Sequence, residues 1–104
     1  MNDVLVTQTA YANPSTATDT VVVAAVPNKS IVVHAAYTVA ALANSVTFKS
    51  GANVLTATSA LAANGGLVLP FAQPGWFRTS VGEALVFTTS AVGATGITIT
   101  YSLE

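Results

Sequence analysis

The stretch that decides the fold is Ile97-Thr98-Ile99-Thr100-Tyr101-Ser102-Leu103. Apolar residues alternate with hydroxyl residues at a period of two, so one face is apolar and the other polar. Ile and Thr are β-branched and fit a pleated surface. The segment reads as a half-buried strand of an antiparallel sheet. Working back from it, Ala84 to Thr89 and Trp76-Phe77-Arg78-Thr79 read as strands flanking the turn Val81-Gly82-Glu83. Gly66 to Phe71 is a short strand after the turn Asn64-Gly65-Gly66, and Pro70 marks it as an edge. Val54 to Leu61 reads as one strand, entered through Ser50-Gly51-Ala52-Asn53. Val46-Thr47-Phe48-Lys49 alternates with Val46 and Phe48 pointing inward. Ile31 to Ala43 is one long strand with a bend at its alanines, and Thr20 to Val26 is a strand ended by Pro27-Asn28-Lys29. Val4 to Thr9 is a weaker first strand, followed by the turn Asn13-Pro14-Ser15-Thr16.

Turn signals thus recur about every 10–13 residues, and nothing reads as a long helix. The expected fold is all-β: a compact antiparallel β-sandwich, jelly-roll-like, of eight or nine short strands. The length of 104 residues suits a single domain. Residues 18–104 are read as the sandwich and residues 1–17 as an N-terminal strand or arm. Thr-x-Thr pairs occur at Thr7, Thr16, Thr18, Thr56 and Thr98, but their spacing is irregular, which argues against a solenoid.

The composition excludes several functions. Seven residues are charged, 7 % of the chain against about 25 % in ordinary soluble domains. Three Lys and Arg cannot neutralise a run of phosphates, so nucleic acid is not an expected partner. The sequence has no Cys and one His, which leaves no disulfides and no thiolate or His-rich metal centre. Its most apolar stretch, Val21 to Ala43, is cut by Pro27-Asn28-Lys29-Ser30 and is too short for a membrane span of about 20 residues. Met1-Asn2-Asp3-Val4 lacks the basic start of a secretory signal. The hydrophobic fraction is 52 % and the formal net charge is −1, so charge repulsion does little for solubility. Uncharged Thr, Ser and Asn are expected to hydrate the surface, and a homo-oligomer (a dimer or trimer) is expected to bury much of it.

Few residues could carry chemistry. His34 lies among Val32, Val33, Ala35 and Ala36, without a Gly-x-Ser-x-Gly elbow in the chain, and reads as a strand histidine bonded to backbone or facing an interface. Arg78 and Glu83 flank a tight turn and are expected to pair across it. Trp76 and Phe77 follow Pro74-Gly75; adjacent strand residues point to opposite faces, so at most one enters the core. Exposed Trp is a favoured binding anchor. The interface candidates are therefore Trp76, Phe77, Arg78 and His34, with no catalytic residue, cofactor or metal ligand expected and no enzyme activity.

Five stretches carry a resemblance: Val46-Thr47-Phe48-Lys49-Ser50-Gly51, Leu61-Ala62-Ala63-Asn64-Gly65-Gly66, Pro74-Gly75-Trp76-Phe77-Arg78-Thr79, Gly82-Glu83-Ala84-Leu85 and Gly96-Ile97-Thr98-Ile99-Thr100-Tyr101. In this order and spacing the chain, from about Val23 to Glu104, resembles small virion proteins of tailed bacteriophages. It departs from them at Pro27-Asn28-Lys29-Ser30-Ile31-Val32, where a Gly-Lys turn and a basic strand residue are expected. The resemblance implies a β-sandwich of the head decoration, cement or fibre type. It implies a location in the virion and binding to the major capsid protein by non-covalent contacts. The alternative is a fibre or spike domain, or another carbohydrate-binding β-sandwich module.

Overall fold

Strand β10, Thr95–Leu103, alternates buried and half-buried residues from Thr95 to Thr100, after which Ser102 rather than Tyr101 is the buried one. Ile97 and Ile99 are fully buried, and Tyr101 and Leu103 pack at the margin of the same core. The computed structural model describes residues 7–104. β10 pairs on one side with β1 (Gln8–Ala12) and on the other with β3 (Ile31–Ala40). Beyond β3 the edge is made by β7 (Gly66–Leu69) and β8 (Phe77–Arg78). These five strands form sheet A, in the order β1-β10-β3-β7 with β8 also on β3. Sheet B runs β2 (Thr18–Val23), β9 (Leu85–Thr89), β4 (Asn44–Ser50), then β5 (Asn53–Val54) and β6 (Ser59–Leu61), both on β4.

The fold is an all-β antiparallel sandwich as expected, and among the described residues it has ten strands where eight or nine were expected. The extra strands come from two broken edges. Val54 to Leu61 is not one strand, because the Thr56 hydroxyl accepts the Phe48 N–H at 3.1 Å in place of a backbone carbonyl. The N–H groups of Leu55 and Thr56 both converge on Phe48 O, at 2.8 and 3.4 Å, so the run bulges there instead of continuing residue by residue. On sheet A, Pro70 and Pro74 have no N–H to give, and the edge breaks between β7 and β8. Counting each broken edge once leaves eight strand positions, ordered 1-8-3-6 and 2-7-4-5, the arrangement of a jelly roll.

The first strand lies at residues 8–12 rather than at 4–9, and the part of that expectation over residues 4–6 falls outside the described residues. Residues 8–12 are an edge strand hydrogen-bonded to β10, so this part of the chain is built into the sheet instead of forming an arm. β3 ends at Ala40, short of the expected Ala43.

The core lies between the sheets. Ile31, Val33, Ile97 and Ile99 from sheet A meet Val46, Phe48, Leu85 and Phe87 from sheet B. Phe48 bridges the layers, with ring centroids 4.9 Å from Phe77 and 5.2 Å from Phe87. Tilted aromatic pairs at these distances add about 0.5–1.5 kcal/mol each beyond burial. Among the described residues, every buried side-chain nitrogen and oxygen has a hydrogen-bond partner. Asn44 is the densest case: its Oδ1 accepts from the backbone N–H of Ser45, Ser90 and Ala91, and its Nδ2 donates to Ala91 O and Thr95 Oγ1.

Candidate functional site

Residues 70–76, between β7 and β8, form a strap over one end of the outer face of sheet A. Opposite Thr100 and Tyr101, β3 presents Ala35 and Val33, so His34 is the extra residue of a β-bulge. The strap closes over it. Ala72 N–H donates to His34 O at 2.9 Å, and Trp76 N–H donates to Val33 O at 2.7 Å. Gly75, at φ +90°, rests directly on β3, where a Cβ would strike Val32 Cγ1 and come within 3.3 Å of Val33 O. No other residue fits that position without strain.

His34 has no exposed surface. Its Nδ1 lies 3.0 Å from Ala72 O, and its Nε2 lies 2.7 Å from Ser102 Oγ. A carbonyl only accepts, so Nδ1 carries the proton and the Ser102 hydroxyl donates to Nε2. The sequence gives no hint of this serine, which lies 68 positions away. The distance is that of a nucleophile and its base, but both groups are sealed beneath the strap and no substrate reaches them. Phe71 stacks on the imidazole at 5.7 Å, and its own ring stays largely exposed.

The four candidate interface residues converge on this strap and its edge but differ in what they present. Trp76 is 47 % exposed, and its indole N–H donates to Pro70 O at 2.7 Å. It stands at an apolar cleft of about 300 Å³ between the sheets, floored by Val46, Phe48 and Phe77 and walled by Leu67 and Leu69. Phe77 packs against the core beside Phe48, while Trp76, which precedes β8, stands at the rim of the same cleft. His34 is buried and acts on the surface only through the strap it holds. Arg78 does not pair with Glu83. Its guanidinium lies 3.6 Å from the Glu104 carboxylate at the end of β10, because β8 sits next to β3 and so near the β10 terminus. Glu83 instead accepts from the Ser50 hydroxyl. The Arg78–Glu104 pair is about half exposed on both sides and contributes about 0–1 kcal/mol.

The two outer faces differ in chemistry. On sheet B, Asp19 faces Thr88, whose hydroxyl donates to it at 2.7 Å, and Lys49 lies 3.6 Å away. The Thr88 hydroxyl, aided by Lys49, holds the Asp19 carboxyl below its ordinary range. On sheet A, one row runs straight across the strands: Tyr11, Thr98, Tyr37, Val68. The row on one side is Thr9, Thr100, Ala35, and on the other Gly96, Val39, Gly66. None of these side chains is charged, and Tyr11, Tyr37, Val39 and Val68 are exposed. Sequence reasoning missed this face, because its members come from four separate strands and only the pairing register aligns them. A cue lay in Tyr37-Thr38-Val39, whose alternation places Tyr37 and Val39 on one side.

No protein-family model and no curated protein matches the chain. Among solved structures, a chain from Bacillus endospore appendages, described as a novel family of disulfide-linked pili, is similar with a TM-score of 0.50. The two are 13 % identical, over 96 % of this chain and 89 % of that one. At that identity the likeness speaks for the sandwich fold alone.

Proposed function

We propose that this chain is a structural assembly subunit of a tailed-bacteriophage particle, decorating or cementing the shell of major capsid protein through non-covalent contacts. The observation that carries the reading is the three uncharged rows on the outer face of sheet A, with Tyr11, Tyr37, Val39 and Val68 exposed. Apolar faces of this kind on a small domain mark interaction surfaces. The ordered resemblance to virion proteins supplies the particle. The buried polar residues serve the fold itself: His34, Ser102 and Asn44 are all engaged internally, which supports a non-enzymatic role. The similar pilus chain is described as disulfide-linked; this sequence has no Cys, so that linkage is closed to it.

A glycan-binding fibre or spike module is the competing reading, and it is favoured by the exposed ring of Trp76 at the cleft. One experiment separates the two. Shells lacking the chain are mixed with purified protein, sedimented, and the bound copies counted. Saturation at hundreds of copies with increased heat resistance of the shell is the expected result. Absence of shell binding, together with saturable glycan binding lost on Trp76→Ala, refutes the capsid role in favour of the module.

A further inference from the structure

We infer that the outer face of sheet A is a self-association surface, on which two copies of this chain pack face to face about a two-fold axis. The inference concerns the free chain and does not depend on the capsid reading.

Three observations carry it. The first is area. Tyr11, Tyr37, Val39, Val68 and Phe71 are between 51 and 73 % exposed on this side of the molecule. At ordinary side-chain sizes that is on the order of 500 Å², in the upper part of the range for the largest apolar patch on a monomer. Two such patches bury about 1,000 Å² together, which is the size a specific interface has to reach. An interface of that size belongs with the small, reversible class of associations.

The second is charge. A two-fold axis brings a face against its own copy, so any concentrated charge meets its own sign. The three rows contain no charged residue; the Arg78–Glu104 pair of sheet A lies at its other end, beyond the His34 bulge, whereas Asp19 and Lys49 stand in the middle of sheet B. These three rows can meet their own copy without desolvating an ion.

The third is shape. The bulky row of Tyr11, Tyr37 and Val68 lies beside the low row of Thr9, Thr100 and Ala35. Between Tyr37 and Phe71 this low row forms a groove of about 200 Å³ over Ala35. A two-fold axis running along the rows, midway between the bulky and the low one, sets each bulky row over the low row of the second copy. Tyr37 then fills the groove above Ala35 of the second copy, and the reciprocal contact is identical. Stacked sheets lie about 10 Å apart, a gap that a Tyr side chain spans against a small residue.

The test is sedimentation velocity on the full chain, diluted from about 1 mM to about 1 μM, a span that brackets micromolar association. The expected result is a monomer–dimer equilibrium. Tyr37→Lys weakens it at least about 30-fold, the lower end of the cost of an unpaired interfacial charge. Val21→Lys, on sheet B, leaves it unchanged. Ala35→Glu also breaks the dimer, and an equimolar mixture of the Tyr37→Lys and Ala35→Glu chains restores it, because the two charges face each other across the axis. Circular dichroism and a cooperative melt establish that each variant is folded, and Val68→Lys serves where Tyr37→Lys is not. A monomer at every concentration overturns the inference. So does a trimer, which a two-fold face cannot close. A dimer that folded Tyr37→Lys and Val68→Lys chains both retain overturns it as well. A monomer that binds shells, and loses that binding on Tyr37→Lys, also overturns it and gives the face to the capsid.

Discussion

Replacing His34 by Ala tests whether a buried hydrogen-bond pair holds the strap on the sheet. The substitution removes the Nδ1 contact to Ala72 O at 3.0 Å and the Nε2 contact to Ser102 Oγ at 2.7 Å. Each group left without a partner in a buried site costs about 1–3 kcal/mol. Ser102 has a fallback in Glu104 Oε2 at 3.4 Å, so its share falls at the low end. The ring is fully buried and stacked on Phe71, and its removal leaves a void. The total is about 3–5 kcal/mol, a large part of the 5–15 kcal/mol (roughly) that stabilises a domain. Ser102→Ala alone should cost about 1–2 kcal/mol, and the double variant should cost about 1 kcal/mol less than the sum. Urea unfolding is the assay, followed by circular dichroism and by the fluorescence of Trp76, the one tryptophan, which sits in the strap. Loss of the strap in His34→Ala moves the fluorescence transition to lower urea than the sheet transition. A cost below about 1 kcal/mol with an unchanged urea slope, or strict additivity of the two substitutions, refutes the reasoning.

Gly75→Ala puts a Cβ into Val32 at a positive φ, and should cost about 2–4 kcal/mol and increase protease cleavage within residues 70–76; thermal melting and limited proteolysis read it. Asn44→Asp keeps the acceptor oxygen but loses the donors to Ala91 O and Thr95 Oγ1 and places a charge in a buried site; a loss of about 3 kcal/mol by urea unfolding is expected. Asp19 is held below its ordinary carboxylate range in the folded chain by Thr88 and Lys49, so its contribution is present above the unfolded value near 3.8 and is lost as pH falls through the lower folded value. Melting temperature measured from pH 5 down to about pH 2 should therefore fall less steeply in Asp19→Asn than in the native chain, and parallel curves refute this.

The fold was legible because alternation is a local property. β10 shows it in sequence, and the same reading places Val46 and Phe48 on the core side of β4, where both are buried. The breaks in the edges were not legible. Val54 to Leu61 looks like a strand, and its interruption depends on Thr56 meeting the N–H of Phe48, a residue on another strand. The ion pair was misplaced for a similar reason: Glu83 is the nearer acid to Arg78 along the chain, but Glu104 is the nearer in space. His34 was read as a strand histidine bonded to backbone, and it does bond Ala72 O; its second partner, Ser102, comes from β10. Of the four interface candidates, Trp76 and Arg78 reach the surface, while Phe77 and His34 support it from below.

The sequence by itself determined that this protein is an antiparallel β-sandwich poor in charge, because strand period, turn residues and composition need no knowledge of neighbours. Tertiary structure alone decided which exposed residues share a face. Tyr11, Thr98, Tyr37 and Val68 form one row only because β1, β10, β3 and β7 pair in one register, and a shift of one residue in any strand would turn its side chains to the opposite face.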